Sequence, residues 1–138
     1  MTAERKKILI VDDEPDVREF VQGVLEEGGY QFITAADGEE GLAKAKAESP
    51  DLAILDVQMP KKDGFRLFSE LRADDATKSM PVIMLTGIGD RTGLKFDAED
   101  MGEFLGSEPE AYIEKPIDPE KLSETVGKLI SGRSSSAK

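Results

Sequence analysis

The stretch AILDVQMPKKDGF, residues 53–65, joins a short apolar run to an aspartate and then to two turn signals. Residues 53–55 are typical of a buried strand, and Asp56 stands where that strand would reach the surface. The Met-Pro pair at 59–60 and the Asp-Gly pair at 63–64 are typical of turns that lead into the next element. A carboxylate at such a position is either a solvated strand end or a reactive group, and the rest of the chain distinguishes the two.

Four more apolar runs are typical of strands, and the spacing between successive runs leaves room for a helix. The five predicted strands are Ile8–Val11, Phe32–Ala35, Leu52–Leu55, Val82–Leu85 and Ala111–Ile113. Continuous apolar strands that alternate with helices predict a parallel sheet covered on both faces and joined by right-handed crossovers. The predicted fold class is therefore α/β, a doubly wound five-stranded parallel sheet in a three-layer, flavodoxin-like sandwich.

Helix signals occupy the intervals between the first strands. A first helix is predicted from Pro15 to the glycine pair at 28–29, because apolar residues recur there at helical spacing. These apolar residues are Val17, Phe20, Val21, Val24 and Leu25. A second helix is predicted to begin at Asp37, a residue type that caps helices, and to end at the Ser-Pro pair at 49–50.

Two further helices are predicted, one capped by Asp63 and one capped by Asp118. Pro119 fits the first position of the last helix. The buried stripe of that helix is predicted to be Leu122, Val126, Leu129 and Ile130. The serine-rich end that follows is typical of disorder, so we predict one domain over residues 1–131 and a disordered tail over residues 132–138.

The composition limits the chemistry that the chain can perform. The 138 residues include 18 basic and 29 acidic side chains, a net charge of −11, and neither Cys nor His. This excludes disulfides, thiolate chemistry, histidine acid-base catalysis and most zinc sites, so any metal must bind to oxygen. The negative charge opposes binding to a phosphate backbone, so we expect no direct nucleic-acid binding. The apolar runs are too short for a membrane span or a secretory signal, so we expect a cytoplasmic protein without membrane contact.

Polar side chains stand at the predicted strand ends: Asp12, Asp13, Asp56, Thr86 and Lys115. In open α/β sheets, functional groups gather at the carboxyl ends of the strands, near the point where strand order reverses. We therefore expect these five side chains in one cleft. Three carboxylates brought together repel one another and raise at least one pKa unless a cation binds. Mg²⁺ suits such a cleft, because it prefers oxygen ligands and keeps several waters.

Four motifs at these strand ends resemble the receiver domain of bacterial two-component response regulators, from about Lys7 to Ile130. They are the acidic pair in ILIVDDEPDVR, the stretch LAILDVQMPKKDG, the hydroxyl residue in PVIMLTG and the lysine in YIEKP. Each motif alone is weak evidence, but four in this order, each at a predicted strand end, are specific. The resemblance implies a phosphoacceptor signalling domain rather than an enzyme that acts on a substrate of its own.

The resemblance also implies roles for individual residues. Asp56 accepts a phosphoryl group from a histidine kinase or His-phosphotransfer protein, and the phosphorylated domain then signals to a downstream protein partner or output domain. Mg²⁺ (or Mn²⁺) binds to Asp13, Asp56 and the backbone carbonyl of Gln58, with Asp12 supporting the ion through water.

The remaining roles concern charge and switching. Lys115 supplies positive charge to the phosphoryl oxygens, and Thr86 moves to donate its hydroxyl to one of them. The resemblance makes Tyr112 the side chain that follows Thr86 inward, and it implies a cis bond between Lys115 and Pro116.

Three other functions share parts of this pattern. A haloacid-dehalogenase-like phosphatase also forms an aspartyl phosphate, but it needs an acid two residues after the nucleophile, where this chain has Gln58. A flavin-binding module of the flavodoxin type needs a phosphate-binding loop after the first strand, where DDEPD would repel the ligand. A degenerate receiver would bind partners without phosphorylation, although all five site residues are present in this chain.

The stretch between Thr86 and Lys115 departs from the family, because it is longer than in typical receivers and rich in glycine. Each interior glycine lowers helix stability by about 1 kcal/mol relative to alanine, so a long regular helix is not expected. The best helical candidate covers about residues 98–105. The stretch is either a segment that becomes ordered on phosphorylation or a tolerated surface insertion.

Overall fold

A computed structural model describes residues 6–57, 64–86 and 109–136. In chain order the elements are β1 (Lys7–Val11), α1 (Pro15–Leu25), a short 3₁₀ helix (Glu26–Gly28), β2 (Gln31–Ala35), α2 (Gly38–Glu48), β3 (Leu52–Asp56), α3 (Gly64–Ala73), β4 (Val82–Thr86), β5 (Ala111–Glu114) and α4 (Pro119–Ser136). Every predicted strand is present and is longer than predicted by a single residue at one end.

The five strands form a parallel sheet in the order β2-β1-β3-β4-β5. Strand order reverses at β1, which has β2 on one side and β3 on the other. In doubly wound sheets, ligands bind outside the carboxyl ends of the strands at this reversal. The topology therefore predicts a binding site in the crevice between the carboxyl ends of β1 and β3.

Apolar side chains alternate between the two faces of the sheet, as expected for strands. One face packs against α2 and α3; its buried core includes Leu9, Val11, Ala45, Ala53, Leu55, Leu67, Phe68, Leu71, Val82 and Met84. The other face packs against α1 and α4; its buried core includes Ile8, Ile10, Val21, Leu25, Leu52, Ile54, Ile83, Leu85, Ile113, Leu122, Val126 and Ile130. These two cores confirm the predicted doubly wound, three-layer α/β sandwich.

Local signals in the sequence set the ends of two helices. Asp37 accepts a hydrogen bond from the backbone N–H of Glu40 at 2.9 Å at the start of α2. Asp118 accepts one from the N–H of Glu120 at 2.9 Å at the start of α4. Ser49 ends α2 in the left-handed conformation, with φ at 52°. The predicted starts of both helices and the predicted end of α2 are confirmed.

Two helical details differ from the prediction. Phe20, one of the apolar residues whose helical spacing predicted α1, is 44% exposed. Each residue turns an α-helix by about 100°, so Phe20 lies beside the stripe that Val21 and Leu25 form. In addition, α4 continues to Ser136, whereas we predicted disorder from residue 132. No proline interrupts the chain there, so every residue retains the backbone donor that a helix needs.

A cluster of polar contacts at the amino ends of the strands aligns β4 with β5. Arg72 at the end of α3 pairs with Glu110 just before β5, with 2.7 Å between Nη2 and Oε1. The same Oε1 accepts a hydrogen bond from the backbone N–H of Val82 at 2.7 Å, and Nη1 of Arg72 donates to the carbonyl of Met80 at 2.6 Å. These contacts fix the starts of β4 and β5 relative to each other. Since the two strands are parallel, their carboxyl ends lie at the same edge of the sheet.

Some predictions fall outside the described residues. They are the Asp63 cap, the carbonyl of Gln58, and most of the glycine-rich stretch with its short helix over residues 98–105. Within residues 6–57, 64–86 and 109–136, none of the helices has the length and apolar character needed to cross a membrane.

Candidate functional site

The end of β1 is held by three hydrogen bonds to Asp12. Its backbone N–H donates to the carbonyl of Ala35 in β2 at 3.1 Å. Its Oδ1 accepts from the N–H of Glu14 at 2.9 Å, and its carbonyl accepts from Nη1 of Arg18 at 2.6 Å. Asp12 is fully buried, whereas the adjacent Asp13 is exposed. The turn after β1 therefore places one buried and one exposed carboxylate at the crevice.

Asp56 is the last residue of β3 and is only 4% exposed. The first residue of α3, Gly64, packs directly against it: a Cβ at position 64 would overlap the carbonyl oxygen of Asp56. The N–H of Gly64 also donates to the carbonyl of Val57 at 2.8 Å. The absence of a side chain at Gly64 thus allows α3 to start in contact with the end of β3.

Lys115 follows β5 and reaches both buried carboxylates. Its Nζ lies 3.0 Å from Oδ1 of Asp56 and 3.5 Å from Oδ2 of Asp12. Its backbone N–H donates to the carbonyl of Thr86 at 2.7 Å, which ties the end of β5 to the end of β4. The bond between Lys115 and Pro116 is cis, as predicted. The predicted convergence of Asp12, Asp56 and Lys115 is therefore present.

Thr86 and Tyr112 lie on neighbouring strands with their side chains on the same face of the sheet. Thr86 ends β4 and is buried. Tyr112 in β5 is opposite Met84, two residues before Thr86, and packs half-buried against the core under α2 and α3. Because side chains alternate along a strand, Met84, Thr86 and Tyr112 share that face. The register therefore places the two predicted switch residues, Thr86 and Tyr112, on one face of the sheet.

Burial perturbs the ionisation of the crevice. Loss of hydration raises the pKa of Asp56 from 3.8 to about 6; the hydrogen bond from Lys115 opposes this rise, and the charges of Asp12 and Asp13 add to it. Loss of hydration likewise raises the pKa of Asp12. Burial alone would lower the pKa of Lys115, but its hydrogen bond to Asp56 and the nearby negative charges outweigh that effect and raise it. A single ammonium group therefore leaves negative charge uncompensated.

Three carboxylates form a compact oxygen cluster. One oxygen from each of Asp12, Asp13 and Asp56 lies within 4.8 Å of the other two. Oδ2 of Asp12 is buried, and within the part of the chain that the structure describes it has the ion pair with Lys115 at 3.5 Å but no hydrogen bond. Three clustered carboxylates share one ammonium group, and the ion pair at 3.5 Å compensates Oδ2 of Asp12 only weakly, so this cluster favours a further cation. Oxygen ligands of this kind suit a hard divalent ion.

Comparison with known proteins identifies the family to which this fold and this acidic crevice belong. A family model for the response regulator receiver domain matches residues 8–127. The chain belongs to this family. The five-stranded parallel sheet and the acidic crevice described above are thus those of a receiver domain.

Curated relatives extend beyond this receiver domain. The alkaline phosphatase synthesis transcriptional regulatory protein PhoP of Bacillus subtilis is 42% identical over 125 residues, which cover 91% of this chain and 48% of PhoP. The receiver chain spans about half the length of the curated relatives it matches. The similarity therefore concerns the receiver part of these longer proteins.

Solved structures match over nearly the whole receiver domain. A CheY-like receiver domain protein of Methanospirillum hungatei has a TM-score of 0.81 and 30% identity, and the match covers 96% of this chain and 99% of that one. The chemotaxis protein CheY4 of Vibrio cholerae has a TM-score of 0.77 and 33% identity, with 91% and 99% covered. Both matches confirm the flavodoxin-like fold.

The residues of this receiver domain fit the ion that the family uses. Receiver domains bind Mg²⁺ at an acidic pocket, and the cluster of Asp12, Asp13 and Asp56 provides such a pocket. Two features fit Mg²⁺: Oδ2 of Asp12 is buried without a hydrogen bond among the described residues, and all the candidate ligand atoms are oxygens. The predicted contribution of the Gln58 carbonyl lies outside the described residues.

Sequence reasoning did not predict the contact between Arg18 and the carbonyl of Asp12. A signal for it was present, because Arg18 lies in the first turn of α1, where the helix dipole favours acidic residues. A basic residue at that position, two residues after the acidic run DDEPD, indicates a specific partner near the helix start. The structure identifies that partner as the end of β1.

Proposed function

We propose that this receiver domain accepts a phosphoryl group on Asp56 from a histidine kinase or a His-phosphotransfer protein, in a reaction that needs Mg²⁺ (or Mn²⁺). The observation that carries the proposal is the position of Nζ of Lys115, 3.0 Å from Oδ1 of Asp56 and beside the oxygen cluster with Asp12 and Asp13. Phosphoryl transfer depends mainly on positioning the nucleophile and on neutralising the equatorial oxygens. The crevice has groups for both tasks.

Asp56 is the nucleophile in this proposal. An oxygen of its carboxylate forms a bond to phosphorus while the phosphorus–nitrogen bond of the phosphohistidine donor breaks, and the leaving imidazole keeps the electron pair. With a pKa of about 6, Asp56 is mostly ionised at neutral pH and competent for attack. When bound, Mg²⁺ would supply positive charge to the oxygens of the transferring group.

Lys115 and Thr86 interact with the negative charge of the phosphoryl group on Asp56. Lys115 already donates to Oδ1 of Asp56 and is within reach of a phosphoryl oxygen carried by that residue. Thr86, buried at the end of the adjacent strand, offers a hydroxyl donor. Tyr112, on the same face of the sheet, follows Thr86 inward and changes the surface at β4 and β5. A downstream protein or output domain detects this change.

The metal ligands in this proposal are Asp13, Asp56 and the carbonyl of Gln58, with Asp12 acting through water. Asp13→Asn is then expected to weaken Mg²⁺ binding by at least about tenfold, since even residues that only support metal ligands cost that much when changed. The fold should be unaffected, because Asp13 is exposed. Calorimetric titration with Mg²⁺ measures the affinity, and an unchanged affinity would remove Asp13 from the ligand set.

The proposal also defines what the domain does not do. It receives and loses its own phosphoryl group without turning over a separate substrate, and with a net charge of −11 it signals through proteins rather than by binding nucleic acid itself. We place it in the cytoplasm, with no membrane contact. We also propose residue 131 as the end of the domain core, because the buried side chains Leu122, Val126 and Ile130 of α4 precede it, although the helix itself continues to Ser136.

A small phosphodonor tests the proposal without the cognate kinase. Acetyl phosphate with Mg²⁺ should increase the intact mass by one phosphoryl group, and EDTA should prevent the increase. Hydroxylamine, which cleaves acyl phosphates but leaves phosphoserine intact, should remove the group. Labelling that survives both EDTA and hydroxylamine would contradict an aspartyl phosphate formed with a divalent ion.

A further inference from the structure

We propose that Arg18 is a positioning residue for the metal site: it holds the peptide between Asp12 and Asp13 so that the carboxylate of Asp13 stays in the crevice. The inference rests on the proposed function, because it concerns the Mg²⁺ site of that function. The observation behind this inference is the 2.6 Å hydrogen bond from Nη1 of Arg18 to the carbonyl of Asp12, which the proposed function does not use.

The need for such a residue comes from how differently the two aspartates are held. Asp12 is fixed through its N–H by Ala35 and through Oδ1 by Glu14. The carboxylate of Asp13, in contrast, accepts no hydrogen bond from the residues that the structure describes, and the side chain is exposed. Its position is therefore set by the backbone that carries it.

Arg18 controls that backbone at the relevant point. The carbonyl of Asp12 belongs to the peptide group that precedes Asp13, so rotation of this group changes the direction of the Asp13 side chain. Because the peptide group is planar, holding its oxygen holds its plane. Arg18 is half-buried, and its own N–H donates to the carbonyl of Glu14 at 3.2 Å within the first turn of α1. The guanidinium thus connects a rigid helix to the turn that carries Asp13.

Positioning and simple electrostatics predict opposite results when Arg18 is removed. A guanidinium close to a cation site repels the cation, so loss of its charge alone would strengthen Mg²⁺ binding. Loss of the hydrogen bond frees the peptide between Asp12 and Asp13, so loss of positioning weakens Mg²⁺ binding. The sign of the change in affinity therefore identifies which role Arg18 has.

The experiment compares Arg18→Met, which removes donor and charge, with Arg18→Lys, which keeps a cationic donor. Lys128→Met is the matched control, because it removes an exposed positive charge from α4. Calorimetric titration with Mg²⁺ should show about tenfold weaker binding for Arg18→Met, the size typical for residues that support a metal ligand. Arg18→Lys should recover part of that loss, and Lys128→Met should bind like the wild type.

A second measurement needs no metal. In EDTA, amide hydrogen exchange at residues 13 and 14 should be faster in Arg18→Met than in the wild type, and thermal unfolding should show that the variant is folded. Unchanged or tighter Mg²⁺ binding by Arg18→Met would overturn the inference while leaving the proposed function intact. Absence of Mg²⁺ binding by the wild type would overturn the proposed metal site itself.

Discussion

Asp56→Asn is expected to abolish phosphoryl uptake from acetyl phosphate in the presence of Mg²⁺. The amide replaces the ionised oxygen that attacks phosphorus, so no acyl phosphate can form. The buried neighbours would remain in place, because asparagine has nearly the same size and can still accept a hydrogen bond from Lys115. Intact-mass spectrometry of the wild type and the variant, incubated side by side, measures the loss.

Asp75→Asn is the matched control for this prediction. It makes the same chemical change at an aspartate whose side chain is 95% exposed and forms a surface ion pair with Lys78. This control should be labelled like the wild type. Equal labelling of Asp56→Asn and the wild type would show that another residue accepts the phosphoryl group.

Asp56→Asn is also expected to stabilise the metal-free protein at neutral pH. The pKa of Asp56 is raised in the folded state from 3.8 to about 6, so ionisation of this buried group favours unfolding. Below about pH 4 the carboxyl is protonated in both states and has no such effect. The cost develops as the pH rises from about 4 to about 6 and is complete above that range. At about 1.4 kcal/mol per pKa unit, ionisation of Asp56 lowers the free energy of unfolding by about 3 kcal/mol.

Urea unfolding in EDTA at several pH values measures this difference. The gap in unfolding free energy between Asp56→Asn and the wild type should be near zero below pH 4 and grow to its full size near pH 7. Adding Mg²⁺ should narrow the gap, because the ion binds the folded wild type more tightly. A gap that stays constant across the pH range would contradict burial of the Asp56 charge as its cause.

Local patterns in the sequence were sufficient to predict the elements of the fold and the residue types of the site. Apolar runs predicted the five strands, since a buried parallel strand needs continuous apolar side chains. Asp37 and Asp118 predicted helix starts through bonds to backbone groups only two or three residues away. Polar residues at the strand ends predicted the crevice, because parallel strands bring their carboxyl ends to one edge.

Contacts between distant parts of the chain were decided only by packing. Nothing near Lys115 in the sequence specifies that its Nζ pairs with both Asp56 and Asp12, which depends on the strand order that places β1 beside β3 and β3 beside β4. The exposure of Phe20 likewise depends on which side of α1 meets the sheet. The hydrogen bond from Arg18 to the carbonyl of Asp12 also depends on how α1 packs against the end of β1. Periodicity and capping act over a few residues, whereas the pairing of charges across the crevice is a property of the assembled sheet.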